Sequence, residues 1–297
     1  MINALTVDVE DYYQVSAFES VVRFEDWDQY ESRVERNTER VLDLLDEYNT
    51  KGTFFVLGWV AERHPGLLRL IHQRGHEVGS HGYAHKRVYT QSQDQFREET
   101  RRCKKLIEDI IGEPIIGYRA ASYSITAQSL WALEILAEEG FCYDSSIFPI
   151  RHDRYGIPGH ERFFHNLNGN GRPAIAEVPL STVQLAGINV PVAGGGYLRL
   201  FPYAVNHLAI RRLNHGESQP AVVYFHPWEL DPEQPRMPAA WLSRFRHYTN
   251  LRRMETRLRK LLSRFSFGSI QEVYADRLAR AEVPSRADGR QATEGRR

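Results

Sequence analysis

The chain has 297 residues, 42% apolar and 26% charged, the balance of an ordinary globular protein. Lys plus Arg and Asp plus Glu both number 38, so no overall field argues for nucleic acid or an anionic membrane as partner. Two cysteines, Cys103 and Cys142, lie outside any CxxC pair, which argues against a disulfide framework or a cysteine metal site.

Short apolar runs alternate with amphipathic helical patterns. Ala4–Val9 reads as a buried strand and Val34–Tyr48 as a helix, with Val34, Val41, Leu42, Leu44, Leu45 and Tyr48 at roughly helical spacing. Gly52–Leu57 is a second strand, followed by helices over Trp59–His64 and Gly66–Arg74, the latter stopped by Gly75. His76–Ser80 is a third strand. A long helix is predicted over Gln93–Ile111, closed by Gly112 and Pro114. Ile115–Arg119 is a fourth strand, Ser129–Glu139 a helix, Phe141–Asp144 a fifth strand and Ala174–Pro179 a sixth. Phe201–Leu213 reads as helix and Ala221–Phe225 as the last clear strand. The Gly/Pro-rich stretch 155–196 breaks the pattern into loops and hairpins. Such alternation implies an α/β fold with a mostly parallel sheet, closed or nearly closed into a barrel over residues 1–230. Pro232, Pro235 and Pro238 then form a linker into a helical, basic extension at 231–283, with helix over Ala239–Phe265. The polar residues 284–297 read as a disordered tail. The Arg-rich runs Leu251-Arg252-Arg253 and Arg257-Leu258-Arg259-Lys260 read first as a solvated helix face, second as a contact for an acidic polymer or a partner protein.

The start of the chain shows no basic segment with a signal-peptide apolar core, and no run approaches the roughly 18 apolar residues of a membrane span. A cytoplasmic protein is expected, with the basic tail as a route to a membrane-bound synthesis complex.

Ionisable residues recur at strand ends: Asp8, Glu10 and Asp11 after the first strand, His81 and His85 after the third, Arg119 at the fourth, Asp144 at the fifth and His226 at the last. Parallel barrels build their sites at these C-terminal ends. On a helical turn, the four-residue spacing of His81 and His85 puts both imidazoles on one face. Two histidines and one carboxylate make an open site for Zn²⁺ or a related divalent ion. The carboxylate should come from the acidic segment after the first strand, where alternation points Asp8 and Glu10 to one side and Asp11 reaches round from the loop. His226, fixed by Pro227, reads equally as a general acid or as a core histidine bonded to a carbonyl.

Four segments, Thr6-Val7-Asp8-Val9-Glu10-Asp11, Gly75 to His85, Gly117 to Tyr123 and Val222 to His226, together resemble the polysaccharide deacetylases of carbohydrate esterase family 4, the NodB-homology group. Gly75-His76-Glu77-Val78-Gly79-Ser80-His81 is the most specific of these stretches. The Asp-Val-Glu-Asp-Tyr start, Gly194 to Arg199 and the Arg-rich tail are similar to the subgroup found in exopolysaccharide loci of exosortase-bearing bacteria. The resemblance implies a distorted (β/α) barrel of seven or eight strands and metal-dependent deacetylation of an N-acetylated oligo- or polysaccharide, in exopolysaccharide synthesis. It implies Asp8 as general base, Arg119 as the arginine holding it, His81 and His85 as metal ligands and His226 as general acid. The ion would be Zn, with Co, Ni or Mn as alternatives. The family's usual metal-binding Asp is Val9 here, so Glu10 or Asp11 replaces it, Glu10 being favoured by strand geometry. Asp144 is the candidate to tune His226, a backbone N–H near Tyr123 the candidate oxyanion donor, and Tyr123, Tyr197 and Trp228 candidate sugar-stacking rings. Two rivals remain: a small-amide hydrolase of the allantoinase-like branch, and a non-catalytic barrel that binds a glycan or partner.

Overall fold

A computed structural model describes residues 1–152, 154–167, 175–192 and 194–281. Eleven strands occur among them: β1 (Ile2–Val9), β2 (Thr53–Val56), β3 (Glu77–Ser80), β4 (Gly117–Tyr118), β5 (Tyr143–Asp144), β6 (His165–Leu167), β7 (Ile175–Glu177), β8 (Thr182–Leu185), β9 (Ile188–Pro191), β10 (Val222–Phe225) and β11 (Ser266–Gly268). The helices among them include α1 (Val34–Glu47), α2 (Gly58–Arg63), α3 (Pro65–Gln73), α4 (Gln93–Ile111), α5 (Trp131–Glu138), α6 (Gly195–Leu200), α7 (Tyr203–Arg211), α8 (Trp241–Tyr248) and α9 (Leu251–Leu262). Nine strands form one sheet in the order β10-β1-β2-β3-β4-β5-β7-β6, with β11 also paired to β1. All neighbours are parallel except β6 on β7. The curled sheet with its helices is a distorted (β/α) barrel. Among the described residues no ladder joins β10 to the β7–β6 edge. The gap is bridged instead by Val222 N–H donating to Ser181 Oγ (2.7 Å) and by a parallel bridge between Gly194 and Tyr224. A Cβ at Gly194 would sit 1.6 Å from the Tyr224 ring, so only glycine permits this approach.

Local chemistry accounts for the elements. Helix α4 begins at a capping box, with Ser92 Oγ accepting from Gln95 N–H and Gln95 returning to Ser92 N–H, and ends at left-handed Gly112 (φ 79°). Helix α1 buries Val34, Val41, Leu42, Leu44 and Leu45 against the sheet. Strand pleating sorts the core into two clusters. Leu5, Val7 and Val9 of β1, Phe54 and Val56 of β2, and Val223 and Phe225 of β10 pack outward under the helices. Ala4, Phe55, Tyr143, Ala176, Val222 and Tyr224 pack inward, in the lumen.

The C-terminal segment differs from the expected appendage. Its helical stretch is broken at Asn250 (φ 59°) into α8 and α9, and β11 then joins the sheet beside Ile2–Ala4. Met254, Leu258 and Leu261 are buried in the main core. Residues 231–281 are therefore built into the barrel. Ala174, expected to start the sixth strand, and the expected tail 284–297 lie outside the described residues.

Gly79 shows how tightly the lumen packs: an added Cβ would lie 2.8 Å from the Phe55 ring and 2.9 Å from the Gly117 carbonyl. Gly79→Ala should lower stability by about 1–3 kcal/mol, the usual overpacking cost, in urea denaturation. An unchanged midpoint would contradict this packing.

Candidate active site

Pleat parity decides which residues meet. Thr6 and Asp8 share the lumen face with Ala4; Arg119 follows Gly117, whose Cα faces Tyr143; His226 follows lumen-facing Tyr224. These side chains converge with Glu10, His81 and His85 at the C-terminal mouth of the sheet. A cleft of about 470 Å³ opens over them, and Asp8, Glu10, His81, His85, His226 and Trp228 are among its lining. That volume falls within the usual range for small-ligand sites.

The ligand atoms of Glu10, His81 and His85 lie within 4.8 Å of one another. The histidine pair does not sit on a helical turn, as the spacing suggested. Gly82 (φ 72°) and His85 (φ 51°) are left-handed and fold the segment back, bringing the imidazole centroids to 5.5 Å. Burial keeps both imidazoles below their ordinary pKa, His85 well below. Their ring nitrogens are thus neutral, the form a metal requires. His81 Nδ1 is 2.8 Å from the Arg119 carbonyl, which leaves Nε2 for the cleft. Glu10 Oε2 is buried without a hydrogen-bond partner, although His85 Nε2 is 3.0 Å away. Burial, opposed by His226 and reinforced by Asp8, raises Glu10 to about 7. An orphaned carboxylate oxygen facing two neutral imidazoles fits a divalent cation by donor set and by electrostatics.

Asp11 does not join this group. Its Oδ2 accepts from Arg33 N–H (2.6 Å), Val34 N–H (3.1 Å) and Ser32 Oγ (3.0 Å), and its Oδ1 from Tyr12 N–H (2.9 Å). It caps α1 from outside the helix, where unpaired N–H groups favour an anion. Of the two alternatives read from the sequence, Glu10 is the one beside the histidines.

Asp8 is paired with Arg119, which is fully buried. Arg119 Nη1 donates to Asp8 Oδ1 (2.8 Å) and Thr6 Oγ1 (2.7 Å), Nε to the Ser145 carbonyl (3.1 Å) and Nη2 to Ser145 Oγ (2.9 Å). Burial raises the Asp8 pKa, but Arg119, His81 and His226 together outweigh it and hold the group below its ordinary value. Asp8 Oδ2 receives the Tyr123 hydroxyl at 3.3 Å and lies 3.9 Å from His226 Nε2.

His226 is held from behind by Glu229, whose Oε1 is 2.7 Å from Nδ1 and also accepts from His226 N–H (3.1 Å). Glu229 Oε2 is bound by buried Arg199 Nε at 2.5 Å. Burial lowers the His226 pKa, but Glu10, Glu229 and Asp8 overcome it and lift it to about 9. Asp144, expected in this tuning role, is placed elsewhere. It follows lumen-facing Tyr143, so pleat parity turns it to the other side of the sheet, where it accepts from Ser146 Oγ (2.5 Å) and Ser146 N–H (3.2 Å). Ser146 Oγ in turn accepts from Ala120 N–H (2.7 Å), so Asp144 braces the backbone beside Arg119. The sequence reading missed Glu229 and Arg199. The signal for Glu229 was its i, i+3 spacing from His226 on the short turn that Pro227 opens.

The aromatic and oxyanion expectations also change. Trp228 is only 4% exposed and stacks with His226 (5.0 Å) and His247 (4.0 Å), so it is not a free sugar platform. Tyr123 is buried with its hydroxyl on Asp8 and its N–H donating to the Ala120 carbonyl (3.0 Å), so that N–H is not available to an oxyanion. Tyr197 is half-buried, lines the cleft and lies 3.5 Å from the Tyr155 hydroxyl. Three non-glycine residues of the site, His85, Ser122 and Tyr123, have positive φ (51°, 52° and 54°). Such strain collects where surrounding structure over-determines a site.

Residues 19–138 match the polysaccharide deacetylase family, and residues 145–275 match a domain of unknown function, DUF3473. A peptidoglycan-N-acetylglucosamine deacetylase of Bacillus cereus is 32% identical over 75 residues, 25% of this chain and 27% of the relative. The chain thus spans about a quarter of the length of that relative. A Mycobacterium smegmatis protein, provisionally named a polysaccharide deacetylase, has the same fold at 20% identity and a TM-score of 0.61, over 97% of this chain and 93% of that one. The allantoinase Puue shares the fold at 14% identity and a TM-score of 0.59, over 95% and 90% of the two chains. No helix among the described residues is long and apolar enough to cross a membrane.

Asp11→Ala strips an anion from three backbone N–H groups and should cost about 3 kcal/mol of stability, measured by chemical denaturation. A loss below about 0.5 kcal/mol would remove it as a cap. Glu229→Gln removes an anion that favours imidazolium, so the His226 titration midpoint of the metal-free protein should fall from about 9. The His226 ring protons followed by NMR report this, and an unmoved midpoint would show that Glu229 does not set the charge.

Proposed function

We propose that this chain, which carries a polysaccharide deacetylase domain, uses one divalent ion to hydrolyse N-acetyl groups on an N-acetylated sugar polymer or its precursor. The observation that carries the reading is that Asp8, kept ionised by Arg119, and His226, kept protonated by carboxylates, lie 3.9 Å apart beside the Glu10–His81–His85 group. Glu10, His81 and His85 would hold the ion, Zn²⁺ first and Co, Ni or Mn as alternatives. When bound, such an ion polarises a carbonyl and acidifies water.

The side chains supply the rest. Asp8 Oδ2 takes a proton from the water that adds to the acetyl carbonyl, and Arg119 keeps that carboxylate aimed and anionic. His226 Nε2 gives its proton to the amide nitrogen as the C–N bond breaks, so a neutral amine leaves instead of an amide anion. Glu229, backed by Arg199, steadies the charge on His226 before transfer. Tyr197 at the cleft wall is positioned to meet a sugar face. The open cleft suits a polymer better than an enclosed small amide. A role in exopolysaccharide biosynthesis, with contacts to that machinery, is supported by the match of residues 145–275 to DUF3473 and by the Gly194–Arg199 resemblance.

Acetate release from an N-acetylated oligosaccharide, with and without added Zn²⁺, tests the proposal. Release should require metal, vanish in His81→Ala and fall about 10²–10⁴-fold in Asp8→Asn. Near-normal turnover by Asp8→Asn would overturn the base assignment. Metal-independent release would overturn the metal reading, and no release from any N-acetylated oligosaccharide would favour the non-catalytic barrel.

A further inference from the structure

The rim of the cleft carries a charge pattern that deacetylation does not require. Arg87, Arg154 and Arg246 all line it, delivered by three segments distant in sequence: the turn after His85, the loop after β5, and the end of α8. Asp8 and Glu10 are the only carboxylates among the described lining residues, and both lie at the buried floor. Arg87 is partly compensated by Glu19, 2.9 Å away. Arg154 and Arg246 are exposed, and neither has a carboxylate partner among the described residues.

The segments that carry these cations are tied to the rest of the structure. Arg87 Nη1 donates to the Tyr89 hydroxyl (3.3 Å), which donates to the Arg154 carbonyl (3.0 Å) and so ties the two loops together. The backbone of Arg246 is held by Arg199 Nη2, which donates to its carbonyl at 3.0 Å. Arg199 itself is neutralised by Glu229 and adds no free charge. A basic rim without carboxylates among its described residues therefore lies above the reacting groups of the floor.

We propose that the substrate is an anionic glycan, one whose N-acetylated sugars are flanked by carboxylate-bearing sugars. The inference rests on the deacetylase reading for the floor and adds the substrate class at the rim. The sugar being deacetylated must bring its acetyl group down to Asp8 and His226 at the floor, below the arginines of the rim. The carboxylates therefore belong to neighbouring residues of the polymer, which lie toward Arg154 and Arg246. Attraction of this kind, acting between exposed charges, weakens with salt.

Two oligosaccharides of equal length separate charge from acetylation: a hyaluronan hexasaccharide, in which glucuronate alternates with N-acetylglucosamine, and neutral chitohexaose. Calorimetric binding to the Zn-loaded protein should favour the anionic oligosaccharide about tenfold at about 0.05 M salt, with the preference shrinking at about 0.3 M. It should disappear in Arg154→Gln/Arg246→Gln, whose side chains are exposed and whose fold is checked by circular dichroism. Equal affinities, or a preference that survives the double substitution, would overturn the proposal. Acetate release measured on the same samples reports separately on the deacetylase reading. Deacetylation without charge preference sinks only the anionic substrate, and charge preference without deacetylation sinks only the reaction.

Discussion

The buried guanidinium of Arg119 holds the lumen of this barrel together. It lies between β1, through Thr6 and Asp8, and the turn after β5, through Ser145, with four hydrogen bonds and no exposure. Taking an arginine and a carboxylate out of water costs several kcal/mol per ion, and only good geometry with further hydrogen bonds offsets it. Here all three guanidinium nitrogens donate, and the Phe55 ring lies 4.3 Å from the guanidinium carbon. Removing either partner would strand a charge, at a cost of about 3–5 kcal/mol. The same pair sets a charge at the mouth. Arg119 holds Asp8 below its ordinary pKa against the opposing effect of burial.

A second buried arginine mirrors the first. Arg199 binds Glu229, Glu229 binds His226, and the remaining guanidinium donors reach the carbonyls of Arg246, His247 and Thr249. Opposite charge states are favoured on residues 3.9 Å apart: Arg119 favours an anion at Asp8, and Glu10, Glu229 and Asp8 favour a cation at His226. Environments that push neighbouring groups apart in this way are the physical basis of an acid–base pair. Arg199, Glu229 and the carbonyls that cap them fall within residues 145–275, whereas His81, His85 and Arg119 fall within residues 19–138. The site is thus assembled from both matched regions, and the C-terminal helices help to build it.

Much of this was legible in the chain. Alternating apolar runs gave the parallel sheet, and the clustering of Asp8, His81, His85, Arg119 and His226 at strand ends marked its mouth. What escaped had identifiable causes. Asp144 ends a strand as the others do, but Tyr143 occupies the lumen face, and a shift of one residue along a pleat reverses direction. The His81–His85 spacing suggested a helix, whereas Gly82 and a left-handed His85 made a tighter turn. Asp11 stayed an alternative to the favoured Glu10 because the unpaired N–H groups of α1 that claim it lie more than twenty residues away in sequence. β11 is three residues long, and its pairing with β1 spans more than 260 positions, beyond any local pattern. Glu229 was hidden by its neighbour: His226 drew attention while the carboxylate one turn on did not.

The central claim is that Glu10, His81 and His85 form one divalent-ion site to which Asp8 does not contribute as a ligand. Metal content after dialysis against Zn²⁺, measured by elemental analysis, tests it directly. One ion per chain is predicted for the parent protein and for Asp8→Asn, and none for Glu10→Ala. An ion retained by Glu10→Ala, or lost from a folded Asp8→Asn, would contradict it.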